Sequence, residues 1–135
     1  MSNLDKIKEI LHDKKAALVV CYSNGEIREY YQNRVKDIKE ILKENNKALE
    51  NAIVADKVIG KVAASLLTVA GVKEIYTDVI SELAIPVLED NQVKYEFKEK
   101  VEYIKNNDNT GMCPMENKYK DEIDIKKIYK EILEI

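Results

Sequence analysis

The residues with most chemical potential in this chain fall in two short strings. The first is Asp56-Lys57-Val58-Ile59-Gly60-Lys61. The spacing of Ile59, Val62, Ala63, Leu66, Leu67 and Ala70 predicts a buried helix starting at Lys57, with Asp56 as N-cap and Gly71 as C-cap. Lys57 and Lys61 then occupy its first two turns. Cations there oppose the positive end of the helix dipole by about 0.3–1 kcal/mol each, and as neighbours four apart they repel mildly. Free N–H groups at a helix start already favour an anion, and two ammonium groups beside them suit a phosphate or carboxylate. Gly60 leaves room for a ligand or for close helix–sheet packing. The competing reading sends both lysines into solvent, their stems covering apolar surface.

The second string is Thr110-Gly111-Met112-Cys113-Pro114-Met115-Glu116. Proline at a first helical position places Cys113 at an N-cap, where an exposed thiol is more readily ionised and more reactive. Glu116 lies in the same turn and suits either an acid/base or a capping role. Its negative charge opposes thiolate formation, so the two proposals compete. A cysteine nucleophile also needs a base, and His12 is far away in sequence. The plainer reading is a small capping residue, a helix-starting proline and a capping glutamate. A third group, Thr77, Asp78 and Ser81, lies at and just beyond the end of a predicted strand and fits the ligand crevice of an open α/β sheet. Capping explains Asp78 or Ser81 equally well.

Composition limits what these residues can do. The chain has 135 residues with one His and two Cys, and carries a formal charge of −3 from 22 basic and 25 acidic side chains. A catalytic zinc site takes about three protein ligands, most often His or Cys, and His12, Cys21 and Cys113 are mutually isolated in sequence. No metal and no cofactor is expected. The acidic balance lacks the basic excess that drives non-specific nucleic-acid binding. The two cysteines form neither a disulfide framework nor a CxxC motif. The polar start Met1-Ser2-Asn3-Leu4-Asp5-Lys6 is unlike a signal peptide, and the apolar stretch 62–71 is too short to span a bilayer. A cytoplasmic protein is expected, with homo-oligomerisation left open.

The elements that must position these residues read as follows. Leu4, Ile7, Ile10 and Leu11 mark an amphipathic helix capped by Ser2 or Asn3, with His12 off its apolar stripe and solvated. The apolar run 16–22 and the polar run 26–31 form a hairpin around Asn24-Gly25, the preferred pair for a type I′ turn. Val35, Ile38, Ile41 and Leu42 mark a second helix, ending near Asn45-Asn46. A less regular stretch through Leu49 and Ile53-Val54 leads to Asp56. After the helix 57–70 come a strand at 74–77 and a helix from Ser81 through Leu88, kinked or shortened by Pro86. A strand follows at 93–98, with 101–104 extending it or forming another. Ile125, Ile128, Tyr129, Ile132 and Leu133 mark the last helix. This order fits a three-layer α/β/α domain spanning 1–135 with a mixed sheet.

The string Ala55-Asp56-Lys57-Val58-Ile59-Gly60-Lys61-Val62-Ala63-Ala64, followed by Tyr76-Thr77-Asp78-Val79-Ile80-Ser81 and Cys113-Pro114-Met115-Glu116, resembles the domain-of-unknown-function family 1893. These are uncharacterised prokaryotic proteins with a cytidine-deaminase-like fold. The resemblance implies a five-stranded mixed sheet, an antiparallel hairpin plus three further strands, with helices on both faces. Zinc deaminases carry His-x-Glu and Pro-Cys-x-x-Cys at two helix starts. Here those places read Asp56-Lys57-Val58 and Val79-Ile80-Ser81-Glu82, so zinc chemistry is not implied. What the resemblance does imply is a pocket where Asp56, Lys57, Lys61, Ser81, Cys113 and Glu116 converge. The expected function is binding of a small anionic or nucleotide-like ligand by Asp56, Gly60, Asp78 and Ser81. Lys57, Lys61, Cys113 and Glu116 are the candidate catalytic residues of a metal-independent enzyme. The alternative is a non-catalytic regulatory or protein-interaction module.

Overall fold

Ser2 begins the first helix as expected: its hydroxyl accepts the Asp5 N–H at 3.1 Å, capping α1 (Asn3–Asp13). The computed structural model describes residues 2–32, 35–106 and 108–135. After α1 come strands β1 (Leu18–Cys21) and β2 (Ile27–Tyr30), then helix α2 (Lys36–Glu44). Next are β3 (Ile53–Ile59), α3 (Lys61–Ala70), β4 (Glu74–Ser81), α4 (Ile85–Asp90) and β5 (Lys94–Val101). Helices α5 (Pro114–Tyr119) and α6 (Ile125–Leu133) close the chain. The strands form one sheet in the order β2-β1-β3-β4-β5, with β1 antiparallel to both neighbours and β3, β4 and β5 parallel. No helix among the described residues is long and apolar enough to cross a membrane.

Helices cover both faces of this mixed sheet. On one side Leu4, Ile7 and Leu11 of α1 pack with Val19, Cys21, Ala55 and Tyr76. On the other, Ile38, Leu66, Leu67, Leu88 and Ile128 pack against Leu18, Val54, Ile59, Ile75 and Ile80. Burial of each such aliphatic side chain contributes about 1.5–3 kcal/mol, so these two layers hold the sheet in place.

Several local expectations are corrected. The hairpin closes through a three-residue loop, 23–25, rather than a type I′ turn. The Gly25 N–H donates to the Tyr22 carbonyl, the Tyr22 N–H to the Glu26 carbonyl, and only Gly25 has positive φ (91°). A type I′ turn needs positive φ at Asn24 as well; the observed pattern is the longer loop ended by a left-handed glycine. Of the two effects expected of Pro86, the shortened start is observed: α4 begins only at Ile85, and Pro86 falls in its first turn, where its missing N–H breaks no helical bond. Ser81 ends β4 instead of capping α4, its Oγ accepting the Leu83 N–H at 3.0 Å.

The largest correction concerns residues 53–59. They form a central strand, not an irregular stretch leading into a helix, so Asp56 and Lys57 lie within β3 and α3 begins only at Lys61. This strand also breaks its own alternation. Val54 and Ile59 both enter the larger core, as do Ile75 and Ile80 of β4. Residues five apart in a regular strand point to opposite faces. The slip falls where pairing passes from Asp56↔Thr77 to Val58↔Val79 with no Lys57↔Asp78 pair. At that level Asp56 Oδ1 accepts the Val58 N–H at 3.3 Å, and Thr77 Oγ1 donates to the Val79 carbonyl at 2.9 Å. Two side chains thus satisfy backbone groups beside the break.

Candidate functional site

Gly60 is the N-cap residue of α3 and has no side chain to bond the helix's free N–H groups. The cap comes from α5. Glu116, 3% exposed, accepts the Lys61 N–H at 2.7 Å through Oε1 and the Ile104 N–H at 2.6 Å through Oε2. A negative carboxylate at the positive end of a helix is favourable. The expectation that Glu116 caps its own helix is therefore corrected: it caps α3. A Cβ on Gly60 would meet Glu116 Oε1 at 2.7 Å, so glycine at 60 makes this approach feasible.

The lysine pair is also corrected. Lys57 is exposed on β3, whereas Lys61 opens α3 and is only 8% exposed. They are not neighbours on one helix face. Lys61 Nζ donates to the Lys120 carbonyl at 3.0 Å. Burial lowers its pKa, while Asp121, Glu122 and Glu116 oppose that shift.

Beside the start of α3 lies a cavity of about 320 Å³. Its lining brings together Asp56, Lys57, Gly60, Cys113 and Glu116, five of the residues singled out from sequence. Three consecutive residues of β3, Asp56, Lys57 and Val58, line it; a regular strand would turn the middle one away, and the break in β3 accounts for the difference. Ala17, Val35, Val62, Ile104 and Met115 contribute apolar wall. Ala17, Val35 and Ile104 carried no functional signal in the sequence, because an apolar residue facing a cavity has the same periodicity as one facing the core.

Asp56 is the unusual group. It is 5% exposed, and among the described residues no ion pair reaches it. Burial pushes its carboxyl up to about 8. Backbone N–H groups of Val58 and Lys57 resist that rise, and the Asp37 and Asp78 carboxylates add to it. Burial thus favours the neutral acid form in the folded chain. Asp37 on α2 is buried too and shifted upward by burial, but its oxygens accept the Gln32 N–H and Nε2 group, each at 3.1 Å. The sequence marks Asp37 only as an ordinary first-turn acid.

Cys113 stands at the N-cap of α5 as expected, half-buried against the cavity, but its thiol makes no capping bond. Its backbone N–H donates to the Ile104 carbonyl at 2.7 Å. Asp78 is held on the α1 side of the sheet, where Oδ1 accepts the Tyr76 hydroxyl at 2.7 Å and contacts His12 Nε2 at 2.7 Å. His12, expected to be solvated, is half-exposed and engaged in this contact. Thr77 and Ser81 are buried with their hydroxyls on local backbone groups. Of the six residues expected to converge, Asp56, Lys57, Cys113 and Glu116 line this one cavity, and Lys61 and Ser81 do not. Lys61, Asp78 and Ser81 have their polar groups engaged elsewhere.

A family model described as TM1506, domain of unknown function (DUF1893), matches residues 6–135. Among solved structures, the chain is similar to the crystal structure of a DUF1893 family protein (TM1506) from Thermotoga maritima. The TM-score is 0.89 at 27% identity, covering 99% of this chain and 91% of that one. A comparison with curated proteins finds no match.

Proposed function

We propose a function on the premise that this chain belongs to the DUF1893 family: the cavity beside α3 binds a small anionic or nucleotide-like ligand. The ligand's apolar body lies against Val35, Val62, Ile104 and Met115, its polar edge meets Asp56, and its anionic group reaches the exposed ammonium of Lys57. The observation that carries this reading is the buried carboxyl of Asp56 in the wall of a largely apolar cavity. A buried acid without a cation destabilises a fold, and such groups cluster at functional sites. The volume, about 320 Å³, falls within the range of small-molecule pockets. Glu116 serves as a positioning residue, since both its oxygens hold backbone N–H groups that shape the cavity wall. The free thiols of Cys21 and Cys113 suit a reducing, cytoplasmic setting.

Thermal-shift screening of nucleosides, nucleoside monophosphates and sugar phosphates tests the reading. A ligand at about a hundred times its Kd adds about 2.7 kcal/mol, equivalent to about 10 °C in a domain of this size. Lys57→Ala should weaken phosphorylated compounds more than their unphosphorylated counterparts. A screen without hits, or hits indifferent to both Lys57→Ala and Asp56→Leu, overturns the proposal.

A further inference from the structure

The surroundings of Asp56 constrain what its carboxyl can recognise. The walls around it are largely apolar, and among the described residues it forms no ion pair. The charged groups that bear on it are acids, Asp37 on α2 and Asp78 on β4 (itself in contact with His12), while Glu116 on α5 lines the same cavity with both oxygens on backbone N–H groups. Lys57, next to it on β3, is exposed, and the thiol of Cys113 lines the same cavity. Each neighbouring carboxylate disfavours a second negative charge.

Resting on the ligand-binding reading above, we infer that Asp56 meets its ligand as a neutral carboxylic acid. In that form it selects a flat group with a hydrogen-bond acceptor and an N–H donor side by side, a cyclic-amide edge, over a cation such as an amidinium. A protonated carboxyl offers one O–H donor and one carbonyl acceptor. A cyclic amide answers both: its carbonyl accepts the acid O–H and its N–H donates to the acid carbonyl. No proton is transferred. An ionised carboxylate has acceptors only, so it would repel the amide carbonyl and favour a double donor. The apolar walls suit the flat body, and exclusion of water strengthens both hydrogen bonds.

The test is a ¹H–¹⁵N NMR titration of the full chain with three probes: 2-pyridone, N-methyl-2-pyridone and benzamidine. At about pH 6.5, 2-pyridone should shift resonances of residues 56–60 and 113–116, while N-methyl-2-pyridone and benzamidine bind at least about tenfold more weakly. At about pH 9.5, where the carboxyl is ionised, 2-pyridone affinity should fall about tenfold or more. Asp56→Asn, which keeps a donor and an acceptor, should retain 2-pyridone binding within about threefold and lose the pH dependence. Preference for benzamidine at the lower pH, 2-pyridone binding unchanged between the two pH values, or no 2-pyridone binding overturns the inference. Nucleotide hits that respond to Lys57→Ala would then leave the cavity reading standing. A wild-type protein that binds neither nucleotides nor the probes removes both.

Discussion

Replacing Asp56 by Asn should stabilise the protein by an amount that grows with pH. In the unfolded chain this carboxyl ionises near its ordinary 3.8, whereas burial and the Asp37 and Asp78 carboxylates push the folded-state value to about 8. Between those values the folded chain keeps a proton that the unfolded chain releases. The associated stability is fully present below 3.8 and is lost as pH rises toward about 8. The loss is about 1.4 kcal/mol per pH unit, or about 4 kcal/mol by pH 7. That is a large share of a typical domain stability of about 5–15 kcal/mol. Asn retains an acceptor for the Val58 N–H, now bonded at 3.3 Å, and has no charge to bury. Urea denaturation of both proteins at about pH 4, 5.5, 7 and 8.5 would measure the difference, with other titrating groups cancelling. With an m-value of about 2 kcal/mol/M, the midpoints should nearly coincide at pH 4 and differ by about 2 M at pH 7. A difference that stays constant across this range refutes the reasoning, because it would mean that the folded chain holds Asp56 ionised. A residue kept at such expense to the fold is expected to matter for the ligand, so Asp56→Leu, which removes both the donor and the acceptor, should lose ligand binding where the stabilised Asn variant keeps it.

Two further predictions concern the junction between α3 and α5. Glu116→Ala strands the buried N–H groups of Lys61 and Ile104, at about 1–3 kcal/mol each. Glu116→Gln should lose less, since one oxygen still accepts. Chemical denaturation reads both, and a loss under about 1 kcal/mol for the alanine variant would show that water replaces the carboxylate. Gly60→Ala places a methyl 2.7 Å from Glu116 Oε1, and should destabilise by about 1–3 kcal/mol through overpacking. Combined with Glu116→Ala it should cost clearly less than the sum of the two single changes; strict additivity would show that the glycine is not there for the carboxylate.

Much of the architecture is legible because its signals are local. The apolar and polar runs flanking Asn24-Gly25 mark a hairpin, the spacing of Leu4, Ile7 and Leu11 marks α1, and Pro114 marks the start of α5. Strand β3 is harder to read. Its apolar run is interrupted by Asp56-Lys57, a pair that resembles a helix start, and the apolar spacing of α3 extends smoothly back across it. What overrides that pattern is parallel pairing of residues 53–59 with β4 and antiparallel pairing of Leu18–Cys21 with the same strand. Those partners are remote in sequence. The two motif strings do meet, as Asp56, Gly60, Cys113 and Glu116 all line one cavity, yet their roles differ from the pattern-based reading. Glu116 bonds another helix, and Lys61 turns to Lys120.

By itself the sequence determines which elements are amphipathic, where tight turns fall and which scarce side chains are present for chemistry. These follow from residue type and nearest-neighbour spacing. Only the tertiary structure decides that Asp56 is buried without an ion pair to any described cation, that Gly60 faces a carboxylate, and that the anion at the start of α3 belongs to the chain's own Glu116. The physical reason is that dielectric environment and capping depend on groups brought together across the fold. A carboxyl's identity is written in the chain, but its charge is set by what surrounds it.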